Sequence, residues 1–249
     1  MKEKIHTIPV NEAFDSGDEC PFCYMERDVE RRALRFVAGP GASYMEPDIR
    51  AETDRLGFCP EHMQKLYDYG NLLGAALMLQ THYEELLEQL HEGLDQPEAT
   101  HKRGLFRKQP PKTGELYWER LEKRICDCYV CDKINSNMDR YIASFFHLLK
   151  EPEFRAKVEN SKGVCLRHLA RLLAREPELP AAQREWFRGT MLPMMEKNLL
   201  RVKEDLDWFV AKHDYRNARE DWRNSRDALP RTMQKLAGIH PTDKPYKEE

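Results

Sequence analysis

Four short motifs carry the chemistry-bearing residues of this chain: Cys20-Pro21-Phe22-Cys23, Cys59-Pro60-Glu61-His62, Cys128-Tyr129-Val130-Cys131 and Cys165-Leu166-Arg167-His168. A CxxC sets two thiolates on one side of a tight turn, and a CxxH does the same for a thiolate and an imidazole. One of each closes a tetrahedron around a soft divalent ion. The order CxxC then CxxH occurs twice, with 35 residues between Cys23 and Cys59 and 33 between Cys131 and Cys165. This match in order, type and spacing predicts two metal ions per chain. A segment of that length folds back readily as a helical hairpin, so the expected sets are Cys20, Cys23, Cys59 and His62, and Cys128, Cys131, Cys165 and His168. Sharing of an ion between the copies is the other pairing.

Zinc is the default reading, because all four positions would be protein ligands, the closed arrangement of structural sites. Thiolates held at helix N-termini are favoured by the free N–H groups and the helix dipole. The same donors admit an iron–sulfur cluster, which keeps a redox or metal-cofactor enzyme open as the alternative. Thiol redox chemistry is disfavoured. Cys20-Pro21-Phe22-Cys23 resembles a glutaredoxin-type CPxC, but no strand or βαβ pattern surrounds it and Cys128-Tyr129-Val130-Cys131 has no proline. The seventh cysteine, Cys126, reads as a buried small hydrophobe or bystander, with a substitute ligand or redox-active thiol as the other reading.

The elements that must position these ligands are helical. No run alternates apolar and polar residues with β-branched enrichment, so little strand is expected. Helices are predicted over 25–37, 47–56, from Pro60 through His62, from Leu72 to near Gly93, over 115–125, and over 231–237. Leu73, Ala76, Leu77, Tyr83, Leu86, Leu87, Leu90 and Leu94 follow three- and four-residue steps and read as a core-facing stripe. Met195, Leu199, Val202, Leu206 and Phe209 form a seam suited to a partner helix, which Pro193 should start or kink. The duplication reaches beyond the ligands. Glu46-Pro47-Asp48-Ile49-Arg50-Ala51 before the first CxxH is echoed by Glu151-Pro152-Glu153-Phe154-Arg155-Ala156 before the second. The expected fold is all-α: two pseudo-symmetric helical repeats, each stapled by a CxxC…CxxH metal site, with long amphipathic helices packed together. The boundaries read as a first metal-binding repeat over 1–94, a Pro/Gly-containing linker over 95–114, a second repeat over 115–213 and an extension over 214–249. Trp222, Leu229, Met233 and Leu236 are expected to wrap that extension back onto the core, with a docking arm as the other reading.

At 249 residues with 41% hydrophobic composition the chain can build a real core. Its net charge of -3 argues against wholesale nucleic-acid binding. A basic cluster in the linker, His101-Lys102-Arg103 with Arg107, Lys108 and Lys112, reads as a solvated connector, with phosphate contact as the weaker reading. Glu88 and His91 have the ExxH spacing of di-iron bundles but occur once, and read as a solvated helix face. No P-loop, GxGxxG or GxSxG is present. Without an apolar leader or a membrane-length apolar run, the expected setting is the cytoplasm, where thiols stay reduced.

The motifs Cys20-Pro21-Phe22-Cys23, Gly57-Phe58-Cys59-Pro60-Glu61-His62, Cys128-Tyr129-Val130-Cys131 and Gly163-Val164-Cys165-Leu166-Arg167-His168, with Arg226-Asp227-Ala228-Leu229-Pro230-Arg231 near the end, together resemble a bacterial domain-of-unknown-function family. The resemblance covers nearly the whole chain and implies a helical protein with paired metal-type motifs. It carries no activity with it. The functional expectation is a zinc-binding, non-enzymatic interaction or adaptor module with an unidentified protein partner and no membrane association. Nucleic-acid binding is a weaker alternative.

Overall fold

Proline and glycine placement sets the helix boundaries. The computed structural model describes residues 7–95, 117–239 and 241. These hold eleven α-helices and no strand: α1 (Ile8–Asp15), α2 (Pro21–Ala38), α3 (Pro47–Leu56), α4 (Pro60–Asp68), α5 (Leu72–Asp95), α6 (Tyr117–Cys126), α7 (Tyr129–Leu148), α8 (Pro152–Asn160), α9 (Leu166–Arg175), α10 (Ala181–Lys212) and α11 (Ala228–Ala237). Pro21, Pro47, Pro60 and Pro152 each occupy a first helical position, where the missing N–H has no intrahelical partner. Gly57 ends α3 at φ 60° and Gly163 follows α8 at φ 77°, so each CxxH enters its helix through a left-handed turn. A Cβ at Gly57 would lie 2.5 Å from the His82 ring, and one at Gly163 would lie 2.9 Å from the Met195 sulfur.

The described residues form two compact units. One takes the chain up to Val29 and again from Ile134; the other runs from Glu30 to Lys133. The core of the first is aromatic. Phe14 stacks on Phe145 at 5.6 Å and meets Phe154 at 5.2 Å, while Phe22, within the first CxxC, meets Phe145 at 5.4 Å. The α10 seam is buried at Met195 and Val202. The helix it packs along most extensively is α11. Pro193 lies inside α10 rather than at its start, which is Ala181.

In the second unit α5 packs on α3. His82 Nδ1 donates to the Asp54 carbonyl at 2.7 Å, and the Thr81 hydroxyl donates to the Asp54 carboxylate at 2.5 Å. The core face of α5 follows the leucine-rich stripe expected from spacing only in part. Gly74, Ala75 and Met78 are buried and Leu77, Leu86 and Leu90 half-buried, whereas Leu73, Ala76, Tyr83 and Leu87 are exposed. α5 is apolar enough to offer more than one candidate face.

α11 also departs from expectation. Leu229, Met233 and Leu236 are exposed, and the helix turns Arg231, Gln234 and Lys235 inward. Each finds partners there. Arg231 pairs with Asp205 at 2.8 Å, Gln234 donates to Asp18 at 2.5 Å, and Lys235 Nζ donates to the Glu19 carbonyl at 2.6 Å. The basic residues of the 95–114 segment and the side chain of Leu94 lie outside the described residues.

Candidate metal centres

Each of the four ligand pairs is built the same way. Cys20, Cys59, Cys128 and Cys165 immediately precede α2, α4, α7 and α9, and their partners Cys23, His62, Cys131 and His168 are the third residue of each helix. That spacing turns both side chains toward the N-terminal face, where unpaired amides and the helix dipole stabilise negative charge. The Cys23 and His168 amides accordingly donate to the Cys20 and Cys165 sulfurs, at 3.4 Å each.

The pairs assemble across the copies. Cys20, Cys23, Cys165 and His168 form one group, and Cys59, His62, Cys128 and Cys131 form the other, each with all donor atoms within 4.8 Å of one another. The expectation that each copy completes its own set is therefore corrected, although all eight predicted residues fall in the two groups. Each motif presents its two donors locally at a helix start, so the motif and its spacing suit either pairing, and the choice of partner is left to tertiary packing.

Within each group the imidazole Nδ1 faces three sulfurs. His168 Nδ1 lies 3.5, 3.4 and 3.1 Å from the sulfurs of Cys20, Cys23 and Cys165. His62 Nδ1 lies 3.2, 3.3 and 3.3 Å from those of Cys59, Cys128 and Cys131. Sulfur–sulfur separations are 3.6 Å for Cys23–Cys165 and 3.9 Å for Cys59–Cys131. A tetrahedral ion with Zn–S near 2.3 Å and Zn–N near 2.0 Å would require edges of about 3.8 Å and about 3.5 Å. Both groups match a single four-coordinate ion.

The opposite ring nitrogens meet carboxylates. His62 Nε2 lies 2.9 Å from Glu30 Oε1, and His168 Nε2 lies 3.6 Å from Glu26 Oε2. Such partners fix the tautomer that presents Nδ1 to a metal and raise its basicity. Each carboxylate is itself anchored, Glu30 by Lys65 at 2.6 Å and Glu26 by Arg167. Nothing in the motif pattern pointed to these glutamates. In a chain that is one-third charged, two glutamates four apart on a helix look like solvated surface.

The electrostatics call for a cation. Burial pushes the Cys20 thiol up to about 12. Cys23 is raised chiefly by its bond to Cys165, and Cys131 by its bond to Cys128. Cys165 is lowered by hydrogen bonds from Cys20 and Cys23, and Cys128 is pulled down to about 3, first by its bond from Cys131. Burial opposes charge on His62, but Cys128 and Glu30 outweigh it and raise the imidazole to about 10. Each group thus holds one thiolate easily and resists further ionisation. A divalent ion removes that resistance, because it supplies the positive charge that three close sulfurs lack.

Cys126 is exposed at the end of α6, so it is not a buried hydrophobe, and it stands outside both groups. Glu88 and His91 are exposed on α5, as a solvated face requires. Among the described residues no helix is long and apolar enough to cross a membrane.

The fold and the two Cys3His groups belong to a chain that a known sequence family covers nearly end to end. The model for a family of unknown function, DUF6062, matches residues 1–243. The chain belongs to this family. One relative is the "Uncharacterized 23.9 kDa protein in xynA 3'region" of Caldicellulosiruptor sp. (strain Rt8B.4). It is 25% identical over 202 residues, covering 80% of this chain and 85% of the relative. No solved structure matches.

Proposed function

We propose that this DUF6062 member is a cytoplasmic, zinc-stapled helical scaffold that binds two Zn2+ per chain and works as a non-enzymatic adaptor for a protein partner. The observation that carries the zinc reading is the closed donor set. Three sulfurs and one imidazole nitrogen surround each centre at single-ion distances, and the histidine's other nitrogen is committed to a carboxylate, strongly at His62. A multi-iron cluster needs room for its irons and sulfides between the thiolates, and separations of 3.6 and 3.9 Å favour one ion over such a cluster. The adaptor reading draws on the exposed Leu73, Tyr83 and Leu87 of α5, apolar side chains presented to solvent on a helix whose opposite face is already packed.

Anaerobic purification followed by elemental analysis tests the metal. Two zinc ions per chain are expected; iron with sulfide and visible absorption, or no metal, would refute the reading. Because the ligands of each centre come from segments more than sixty residues apart in sequence, metal binding is expected to be part of folding. Structural zinc contributes about 10 kcal/mol or more of apparent binding free energy in small domains. Chelation should lower the melting temperature steeply, and an unchanged melt would make the centres peripheral. The partner surface is tested by Leu73→Glu with Leu87→Glu, which should abolish complexes formed by the wild-type chain while leaving the metal content at two.

A further inference from the structure

The two centres have equivalent ligands but unequal shielding. In the first, Cys20 and Cys165 are 0% exposed, Cys23 is 1% and His168 is 2%. α11, which stands outside the repeated motifs, helps to close it. The Gly238 carbonyl that ends α11 lies 3.8 Å from the Cys23 sulfur, and Lys235 is tied to the carbonyls of Glu19 and Lys162 at 2.6 and 2.5 Å. In the second centre Cys128 and His62 are buried, but Cys59 and Cys131 are only half-buried. The sulfurs of those two residues stand 3.9 Å apart.

We propose that Cys59 and Cys131 are a peroxide-oxidisable pair whose disulfide expels the ion of their centre, while the Cys20, Cys23, Cys165 and His168 centre retains its own. The inference rests on the zinc reading above. Reactivity of a thiolate follows its access to the oxidant, and the first centre offers none of its sulfurs to solvent. The sulfurs need to close from 3.9 Å to a disulfide length of about 2.0 Å, a shift the side chains can make once the ion no longer holds them apart.

The step balances with hydrogen peroxide as oxidant. One thiolate attacks the O–O bond, taking one oxygen as sulfenic acid and releasing hydroxide. The second thiolate attacks the sulfenyl sulfur and releases another hydroxide. Two solvent protons convert both hydroxides to water, the two sulfurs have given two electrons to the peroxide, and Zn2+ leaves unreduced because half its ligands are gone. A thiol reductant reverses the change and restores the site.

The experiment uses the full-length, zinc-loaded chain with the exposed thiol removed by Cys126→Ser. Hydrogen peroxide is added with a colorimetric zinc indicator, and disulfides are mapped by mass spectrometry as release proceeds. One zinc per chain should be released on the order of tenfold faster than the other, with a Cys59–Cys131 disulfide in that fraction, and reduction with added zinc should restore two. Equal release of both ions, or a first disulfide containing Cys20, Cys23 or Cys165, would overturn the inference and leave the zinc reading standing. A chain that carries no zinc before treatment overturns both.

Discussion

Glu26 and Glu30 stand one helical turn apart on α2, and each faces the Nε2 of a different histidine: Glu26 that of His168 at 3.6 Å, Glu30 that of His62 at 2.9 Å. The second copy has no counterpart, since the residues equally far beyond Cys131 are Ile134 and Met138. One helix therefore supplies the carboxylate facing the second ring nitrogen of both histidines.

Glu30→Gln should weaken the Cys59, His62, Cys128 and Cys131 centre by about 10- to 100-fold, the usual cost of losing an outer-shell partner. Glu26→Gln should cost its centre less, because 3.6 Å is beyond a good hydrogen bond. Competition with a chelator of known affinity resolves the two sites. Equal losses from both substitutions would mean the carboxylates act only as distant charge.

Metal loading should release protons. In the ion-free protein Cys20 is a thiol, pushed up to about 12 by burial; Cys23 and Cys131 are raised by the thiolates they bond; and His62, raised to about 10, is an imidazolium. Zinc competes with these protons, so its affinity should rise with pH across the neutral range and fall as pH drops. Calorimetry in buffers of different ionisation enthalpy counts the protons. An affinity that does not change between pH 6 and 8 would contradict the assignment.

The eight residues of the two Cys3His groups were legible in the sequence because a metal site needs particular atoms at particular spacings, and Cys20-Pro21-Phe22-Cys23 with its three companions meets that need locally. Their pairing was not legible. Cys20 meets His168 across 148 residues, and the four-residue motifs carry no information about which CxxH each CxxC reaches. The helical class was readable from Pro and Gly punctuation. The inward face of α5 was not, because Leu73 and Leu87 satisfy a core pattern as well as Met78 does. The inward face of α11 was hidden for a different reason: Lys235 is inward because buried acceptors await it, and those acceptors belong to segments distant in sequence.

The fourth ligand can be changed in kind. His168→Cys should keep both ions and the fold, since four thiolates are an accepted zinc set, whereas His168→Ala should open the first centre and lower its affinity. Elemental analysis after dialysis, with a thermal melt, separates the variants. Loss of the metal in His168→Cys to the same degree as in His168→Ala would show that the imidazole is needed for more than a donor atom.

Lys235 is the most consequential buried charge outside the ligands. It is 1% exposed and lies 3.3 Å from the Glu19 carboxylate, which is also paired with Arg201 at 2.6 Å and is itself only 4% exposed. Burial lowers the Lys235 ammonium from its usual range, with the Glu19 charge opposing the shift. Removing one partner of such a pair leaves the other buried and undercompensated. Lys235→Ala should therefore destabilise the protein by about 3 kcal/mol, toward the lower end of the range because Arg201 remains. Since the same lysine ties α11 beside Cys20 and Cys23, zinc in the first centre should also become easier to chelate. Urea denaturation of the zinc-loaded variant measures the first effect, and chelator-driven release measures the second. A variant as stable as wild type, or one destabilised with unchanged release from that centre, would show that α11 does not secure it.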